Sequence, residues 1–304
     1  MVFQIAASGW LGQRLRRCVC PVCYIIPPHI TEEIVKNGNE QERTAALQTL
    51  VASEQFRGRR EVMGVLSFAL GIPAGEKRRT VYDAENTTQL PGKLRRGEGD
   101  APMGDGAVDE AYDGAGATFA LYDEVFGRNS IDDRGLRLDS TVHYGDRYDN
   151  AFWNGSQMVY GDGDGALFNR FTLSVDVIGH ELTHGVTQYE AGLIYYGESG
   201  ALNESMSDVF GILVKQRLFN QTVTDSDWII GAELLTEKVN GVGIRSMKAP
   251  GTAYDDPVLG KDPQPGHVDD FYTGTADNAG VHINSGIPNR AFYLAATAMG
   301  GYAW

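Results

Sequence analysis

Two histidines and a glutamate carry the most specific chemical spacing in this chain, in the run His180-Glu181-Leu182-Thr183-His184. Side chains four residues apart on an α-helix point from the same face, one turn apart, so both imidazoles can reach one metal ion. A glutamate beside the first histidine can hold a metal-bound water without binding the metal itself. The pattern H-E-x-x-H is typical of zinc peptidases, so it predicts a helix that carries a catalytic zinc site.

A third ligand is expected from a second helix, because a catalytic zinc usually takes three protein ligands and leaves a fourth position open. Glu204 and Asp208 are four residues apart and share a helical face, and an apolar run follows them. Acids on a buried helix are costly unless they are paired or bind metal. The pattern therefore predicts Glu204 as the third ligand, with Asp208 and Asn203 accepting the outer N–H groups of the histidines. A solvated acidic helix end is the competing interpretation.

The order of several further motifs resembles the thermolysin family of zinc endopeptidases. The likeness runs from about Val81 to Trp304. Besides the two ligand segments, it is carried by Asn150–Gly155, Tyr160–Gly165, Ala191–Tyr195, Arg245–Met247 and Asp277–Gly286. Near the start of the chain, Tyr24–His29 is similar to the short propeptide of the protealysin-type branch of that family.

The fold implied by this resemblance is α+β, with a β-rich N-terminal lobe, a mainly α-helical C-terminal lobe and the zinc helix between them. We expect a leader over residues 1–23, a short propeptide over 24–79, and catalytic lobes over 80–175 and 176–304. Relatives continue past the position of Trp304, so the C-terminal helices are expected to be truncated. In the propeptide, the spacing of six apolar residues predicts short amphipathic helices: Ile30, Ile34, Ala45, Leu47, Leu50 and Val51.

The resemblance also assigns roles around the cleft. Glu181 is the expected general base, Tyr195 and His282 stabilise the oxyanion, and Asp277, five residues before His282, orients that imidazole. The expected substrate-binding residues are Asn150 and Ala151 on a strand, Arg245, and an apolar pocket for the residue after the cut bond, lined by Phe168, Phe171, Val177, Ile230, Leu234 and Ile244. The strand is followed by Asn154-Gly155, which predicts a two-residue hairpin turn. Alternatively, the strand with Asn150 and Ala151 is an ordinary hairpin strand, and the six apolar residues are ordinary core residues without a role in substrate binding.

A paired calcium site that is common in the family is predicted to be absent. Asp176 and Asp227 match two of its ligands, but Lys215, Ile229 and Ala232 stand where three acids are expected. Calcium needs six to eight oxygen ligands, which two acids cannot supply. We expect Lys215 to replace the calcium charge against Asp176. The run Asp162-Gly163-Asp164 also lacks the ligand spacing of a calcium loop and predicts a tight turn.

Composition limits the partners of the chain. The net charge of −14 disfavours nucleic acid and anionic lipid, no run of 18 apolar residues is present, and a monomer is expected. The first 20 residues do not form a convincing signal peptide, because the arginines follow the apolar stretch. Secretion is the family expectation and a cytoplasmic location the alternative. Cys18, Cys20 and Cys23 form no disulfide framework; they are a thiol cluster in a leader, or one of them caps the zinc of a zymogen.

Three functions are compatible with these patterns. The first is a zinc endopeptidase zymogen that cuts before bulky hydrophobic residues and is inhibited by its own propeptide. The second is a truncated, inactive scaffold that acts as a binding protein. The third is a zinc aminopeptidase, which shares the ligand layout but is disfavoured because the chain lacks a G-x-M-E-N run.

Overall fold

The computed structural model describes residues 23–63 and 76–304 of the chain. The leader expected over 1–23 lies outside these residues except for the backbone of Cys23, as do Cys18 and Cys20. The helices are α1 Pro28–Asn37, α2 Glu40–Met63, α3 Gly106–Phe126, α4 Val175–Tyr189, α5 Gly197–Leu218, α6 Ala276–Asn284 and α7 Gly286–Met299. The strands are β1 Cys23–Tyr24, β2 Arg79–Asp83, β3 Lys93–Arg96, β4 Leu138–Val142, β5 Ala151–Trp153, β6 Met158–Tyr160, β7 Ile229–Ile230, β8 Arg245–Ser246, β9 Asp255–Asp256 and β10 Gly260–Lys261.

The N-terminal lobe contains a mixed six-stranded sheet in the order β1-β5-β6-β4-β2-β3. Strands β2, β4 and β6 are parallel to one another, whereas β3, β5 and β1 join antiparallel. Helix α3 packs on this sheet and on α4, and its first turn is capped by the Asp105 carboxylate. The C-terminal lobe is built mainly from α4 to α7. This arrangement confirms the expected α+β fold with a β-containing lobe followed by a helical lobe.

The connection between β5 and β6 differs from the predicted two-residue turn. Trp153 pairs with Met158, so four residues separate the strands. The side-chain oxygen of Asn154 accepts hydrogen bonds from the amides of Ser156 and Gln157, at 2.9 Å each. The predicted hairpin is present, but its turn lies one residue later: the Asn154 amide donates to the Gln157 carbonyl at 3.0 Å, so Gly155 and Ser156 are at its centre, and the asparagine side chain caps the turn from one end.

The described part of the predicted propeptide continues from β1 into helices α1 and α2, which pack against the catalytic lobes. Ile30 and Ile34 of α1 are buried, whereas Leu47 and Val51 of α2 are 49% and 57% exposed. The buried side of α2 is marked instead by Thr49, whose hydroxyl accepts a hydrogen bond from the Asp149 amide at 3.0 Å. Within the described residues, no helix is both long and apolar enough to cross a membrane.

A histidine ties three elements of the N-terminal lobe together. His143 follows β4, and its Nδ1 lies 2.8 Å from the carboxylate of Asp162, which follows β6. Its Nε2 lies 3.2 Å from Asp105 at the start of α3. The hydrogen bond with Asp162, helped by Asp105, raises the pKa of His143 to about 9 although partial burial opposes the charge. The charged imidazole thus stabilises the folded lobe.

We expect His143→Gln to remove a pH-dependent part of the stability. Folding raises the pKa of His143 from about 6.5 to about 9. The protonated imidazole therefore stabilises the fold fully below pH 6.5, and this stabilisation is lost as the pH rises through 9. Solvent screens this partly exposed group, so the expected loss between these pH values is about 1 kcal/mol. Urea unfolding across this pH range measures it. The matched control is His267→Gln, which removes an exposed histidine and should follow the parent; equal slopes for His143→Gln and the parent would contradict the prediction.

Candidate metalloprotease active site

The two helices that carry the predicted ligands cross at a glycine contact. A Cβ atom on Gly211 of α5 would lie 2.4 Å from the backbone oxygen of Asp176 in α4, and one on Gly179 would lie 3.1 Å from the Gly211 Cα. Larger residues at these positions would push the helices apart. The close crossing brings the face of α4 with the two histidines against the face of α5 with the two acids.

Three donor groups converge in the interior between α4 and α5. The Nε2 atoms of His180 and His184 lie 3.0 Å apart, and the Glu204 carboxylate oxygens lie 3.5 and 3.4 Å from them. Among the described residues, these three form the group able to hold a metal ion. All three are buried.

The outer ring nitrogens of the histidines show why a cation fits there. His180 Nδ1 lies 2.8 Å from the carboxylate of Asp208, and His184 Nδ1 lies 2.9 Å from the Asn203 side-chain oxygen. Both Nδ1 atoms therefore donate, which leaves the two Nε2 lone pairs facing each other. Burial lowers the pKa of His184 to about 3, so this ring is neutral. Glu204 Oε2 is buried without a hydrogen-bond partner. Facing lone pairs beside an unpaired carboxylate oxygen suit a divalent cation.

Asp208 is held as an anion behind His180. Arg245 donates to both of its oxygens, at 2.8 and 2.7 Å, and the Asn289 side chain donates at 2.8 Å. Burial disfavours the charge, but Arg245 and His180 outweigh it and hold the pKa of Asp208 well below its usual range. Sequence analysis missed Asn289, because an isolated asparagine in a helix carries no signal for this contact.

A second polar group lies on the other side of the donor cluster. His282 follows a left-handed turn in which Asp277, Asn278, Ala279 and Gly280 all have positive φ. Such a turn is rare for residues other than glycine and places both Asp277 oxygens on His282, at 2.6 Å from Nδ1 and 2.8 Å from the amide. Burial opposes the charge of His282, but Asp277 and Glu204 raise its pKa to about 9. The Tyr195 hydroxyl donates to Glu204 and lies 3.0 Å from His282 Nε2.

Glu181 links helix α4 to the sheet of the N-terminal lobe. Its side chain is completely buried, and its Oε2 accepts a hydrogen bond from the Trp153 amide of β5 at 3.0 Å. The carboxylate is thereby fixed at β5 and lies outside the group that would hold the metal.

The cleft is occupied by an extended segment of the same chain. β1 adds antiparallel to β5, with Tyr24 opposite Phe152. The next residues continue the pairing: the Ile25 amide donates to Ala151 O at 3.3 Å, and the Ile26 amide donates to the Asn150 side chain at 3.0 Å. The predicted substrate-binding strand thus pairs with residues of the predicted propeptide, a placement that sequence analysis did not give.

Two cationic side chains bind the carbonyl oxygens of this segment. His282 Nε2 donates to Tyr24 O at 3.0 Å, and Arg245 Nη1 donates to Ile25 O at 3.1 Å. Ile25 itself is fully buried. The six predicted pocket residues are also buried and belong to the same apolar cluster as Ile25: Phe168, Phe171, Val177, Ile230, Leu234 and Ile244.

A lysine occupies the position next to α4 where the paired calcium site was considered. The Lys215 ammonium donates to Asp176 at 3.1 Å, to Asp227 at 3.0 Å and to the Ile229 carbonyl at 3.3 Å. Burial opposes its charge, but the surrounding acids outweigh this and raise its pKa. The ammonium therefore neutralises the buried Asp176.

Comparison with known proteins identifies the group to which this geometry belongs. Residues 74–188 match the family described as "Thermolysin metallopeptidase, catalytic domain". Residues 191–304 match "Thermolysin metallopeptidase, alpha-helical domain". The chain belongs to the thermolysin family of metallopeptidases. The resemblance drawn from the sequence motifs is thereby confirmed.

Similar proteins place the chain within the thermolysin family. An "Extracellular metalloprotease" of Pectobacterium carotovorum is 55% identical over 284 residues, covering 93% of this chain and 81% of that protein. "Protease PrtS" of Photorhabdus is 52% identical over 92% of this chain and 77% of that protein. The structure of the "Precursor of Protealysin" from Serratia proteamaculans superposes with a TM-score of 0.85 at 55% identity, covering 93% of this chain and 83% of that one. The likeness to the protealysin branch is therefore also confirmed.

These matches and the donor group settle the class of activity. The chain is a metalloendopeptidase, a hydrolase of the thermolysin type. The protease interpretation is supported over that of an inactive binding scaffold.

Proposed function

We propose that this chain is the precursor of a zinc endopeptidase that cuts peptides before bulky hydrophobic residues. The observation that carries the proposal is the seating of Tyr24–Ile26 against β5, His282 and Arg245, which is how an extended substrate would bind beside the three donor groups. An exposed edge strand binds an extended peptide through main-chain hydrogen bonds and selects among peptides through side-chain pockets.

His180, His184 and Glu204 would hold the zinc ion. When bound, zinc polarises the scissile carbonyl and lowers the pKa of a coordinated water to about 7. Asp208 and Asn203 fix the two imidazoles with their inner nitrogens toward the ion, which makes them better ligands.

The remaining residues move or stabilise charge during hydrolysis. Glu181 accepts a proton from the attacking water and passes it to the leaving nitrogen. His282, oriented by Asp277, and Tyr195 donate to the carbonyl oxygen as it gains negative charge. Asn150 and Ala151 align the substrate backbone, and Arg245 binds the carbonyl of the residue after the cut bond.

The predicted pocket accounts for the proposed preference. Its six residues are apolar and buried. A charged residue there would lose its hydration without gaining a partner, whereas Leu or Phe would bury apolar surface.

The propeptide is proposed to keep the precursor latent by filling this cleft. The proposal includes a propeptide over residues 24–79 and catalytic lobes over 80–175 and 176–304. The paired calcium site is proposed to be absent, with Lys215 serving as its charge substitute. Action outside the cell is proposed from the name of the similar Pectobacterium protein, and a monomer with peptide substrates remains our expectation.

The test is hydrolysis of quenched peptides that differ only after the scissile bond, carrying Phe, Leu or Asp. The full chain would be assayed before and after limited trypsin treatment near Lys77–Arg79. We expect little activity before treatment, chelator-sensitive activity after it, and a preference for Phe and Leu over Asp of about 100-fold or more. Equal cleavage of all three peptides would reject the proposed pocket. A zinc-loaded, trypsin-treated chain that cuts none of them would reject the proposed function.

A further inference from the structure

The peptide bond between Tyr24 and Ile25 lies at the centre of the cleft. The carbonyl oxygen of Tyr24 is 3.0 Å from His282 Nε2, which in turn lies 3.0 Å from the Tyr195 hydroxyl. The nitrogen of the same bond, that of Ile25, donates to Ala151 O at 3.3 Å. Both atoms of one peptide unit therefore contact the groups proposed to act on a substrate.

The direction of the segment is that of a substrate. Tyr24 precedes the bond, with its carbonyl toward the proposed oxyanion donors. Ile25 follows it, with a fully buried side chain and with its own carbonyl on Arg245 at 3.1 Å. Ile26 is held one position further by Asn150, which accepts from its amide at 3.0 Å and donates to its carbonyl at 3.3 Å. A segment running in the opposite direction would present no such order of contacts.

The general base is tied to the same strand that aligns this bond. Trp153 lies opposite Cys23 in the β1–β5 pair, and its amide holds the Glu181 carboxylate at 3.0 Å. Strand β5 therefore positions both the peptide bond and Glu181, the group that would carry a proton from the attacking water to the nitrogen of that bond. Such prior alignment is what converts a bound peptide into a reactive one.

We propose that the Tyr24–Ile25 bond is a self-cleavage site of the precursor, cut within its own molecule. The inference rests on the proposed function and names one peptide bond of the chain itself as a substrate. One water molecule is consumed: its oxygen joins the Tyr24 carbonyl carbon as the C–N bond breaks, and Glu181 carries a water proton to the Ile25 nitrogen. The products are a carboxylate at Tyr24 and an amine at Ile25.

The cut chain is expected to stay latent, because most contacts of the inhibitory segment lie after the cut bond. Ile25 and Ile26 keep their bonds to Ala151, Asn150 and Arg245. Further along, Ile30 and Ile34 remain buried, and the hydroxyls of Ser53 and Tyr148 lie 3.2 Å apart across the interface. Cleavage at Tyr24–Ile25 thus removes the leader without releasing the propeptide.

The first measurement uses the zinc-loaded full chain, incubated at several protein concentrations and followed by intact mass and N-terminal sequencing. We expect a new chain that begins at Ile25, formed at a rate independent of concentration. Glu181→Gln should slow its appearance by at least about 100-fold. A cut only elsewhere, or a rate that rises with concentration, overturns the proposal.

A second measurement does not depend on activity. In the metal-free full chain, the amides of Ile25 and Ile26 should be protected from hydrogen exchange, because both donate to the catalytic lobe. Exchange at the rate of an unstructured peptide overturns the proposal. A third comparison returns to the cleavage rate: Ile25→Ala, which removes most of the buried side chain after the bond, should be cut about 100-fold more slowly than the matched control Ile25→Leu. Equal rates for the two variants also overturn it.

The quenched-peptide assay separates this inference from the proposed function. If the trypsin-treated chain cuts the added peptide while the precursor keeps an intact Tyr24–Ile25 bond, only the self-cleavage proposal fails. If the zinc-loaded chain cuts neither, the proposed function fails and the self-cleavage proposal with it.

Discussion

Glu181→Gln is expected to abolish peptide hydrolysis while leaving the metal in place. The carboxylate is buried, is held by the Trp153 amide at 3.0 Å and lies outside the three-donor group. A neutral amide of the same size cannot accept the proton of the attacking water, so the rate should fall by about 10³-fold. Hydrolysis of the quenched peptide by the trypsin-treated chain measures the change.

A metal analysis of the same preparations separates this role from a structural one. Glu181→Gln should retain one zinc per chain. Glu204→Gln is the comparison variant, because it replaces a proposed ligand and should lose most of the zinc as well as the activity. Loss of zinc from Glu181→Gln would show that this residue supports the metal group, and retained activity would show that another group takes the proton.

Lys215→Gln is expected to destabilise the fold by about 3 kcal/mol, because breaking a buried ion pair leaves an uncompensated charge. Asp176 is completely buried at the start of α4, where it also accepts from the Gly231 amide at 3.1 Å. Without the ammonium, this carboxylate loses the cation that neutralises it. Urea unfolding at neutral pH measures the loss.

Helix α5, which carries Lys215, also supplies the control for this prediction. Arg217 pairs with Glu124, whose side chain is 61% exposed, so Arg217→Gln should change the unfolding free energy by about 1 kcal/mol or less. Added calcium or a calcium chelator should leave the midpoint of the parent unchanged, since the ammonium fills the position between the acids. A calcium-dependent midpoint, or equal effects of the two variants, would contradict the assignment.

Residue spacing determined the metal group, and the resemblance to a known family indicated the fold class. Helical periodicity fixes side chains four residues apart on one face, so His180 with His184, and Glu204 with Asp208, could be paired before any coordinates were known. The ordered motifs then indicated the thermolysin family and its α+β architecture. Local turns were less certain: the Asn154-Gly155 pair suggested a two-residue hairpin turn, but the turn lies one residue later, with Gly155 and Ser156 at its centre.

Contacts between distant segments were decided only by the tertiary structure. Sequence spacing says nothing about which strand an unpaired edge will accept, so the pairing of residues 23–26 with β5 could not be read from the propeptide itself. The same holds for the hydrogen bond from Asn289 to Asp208. Burial between packed elements forces each polar group to find a partner, and for these groups the partner comes from a distant part of the chain.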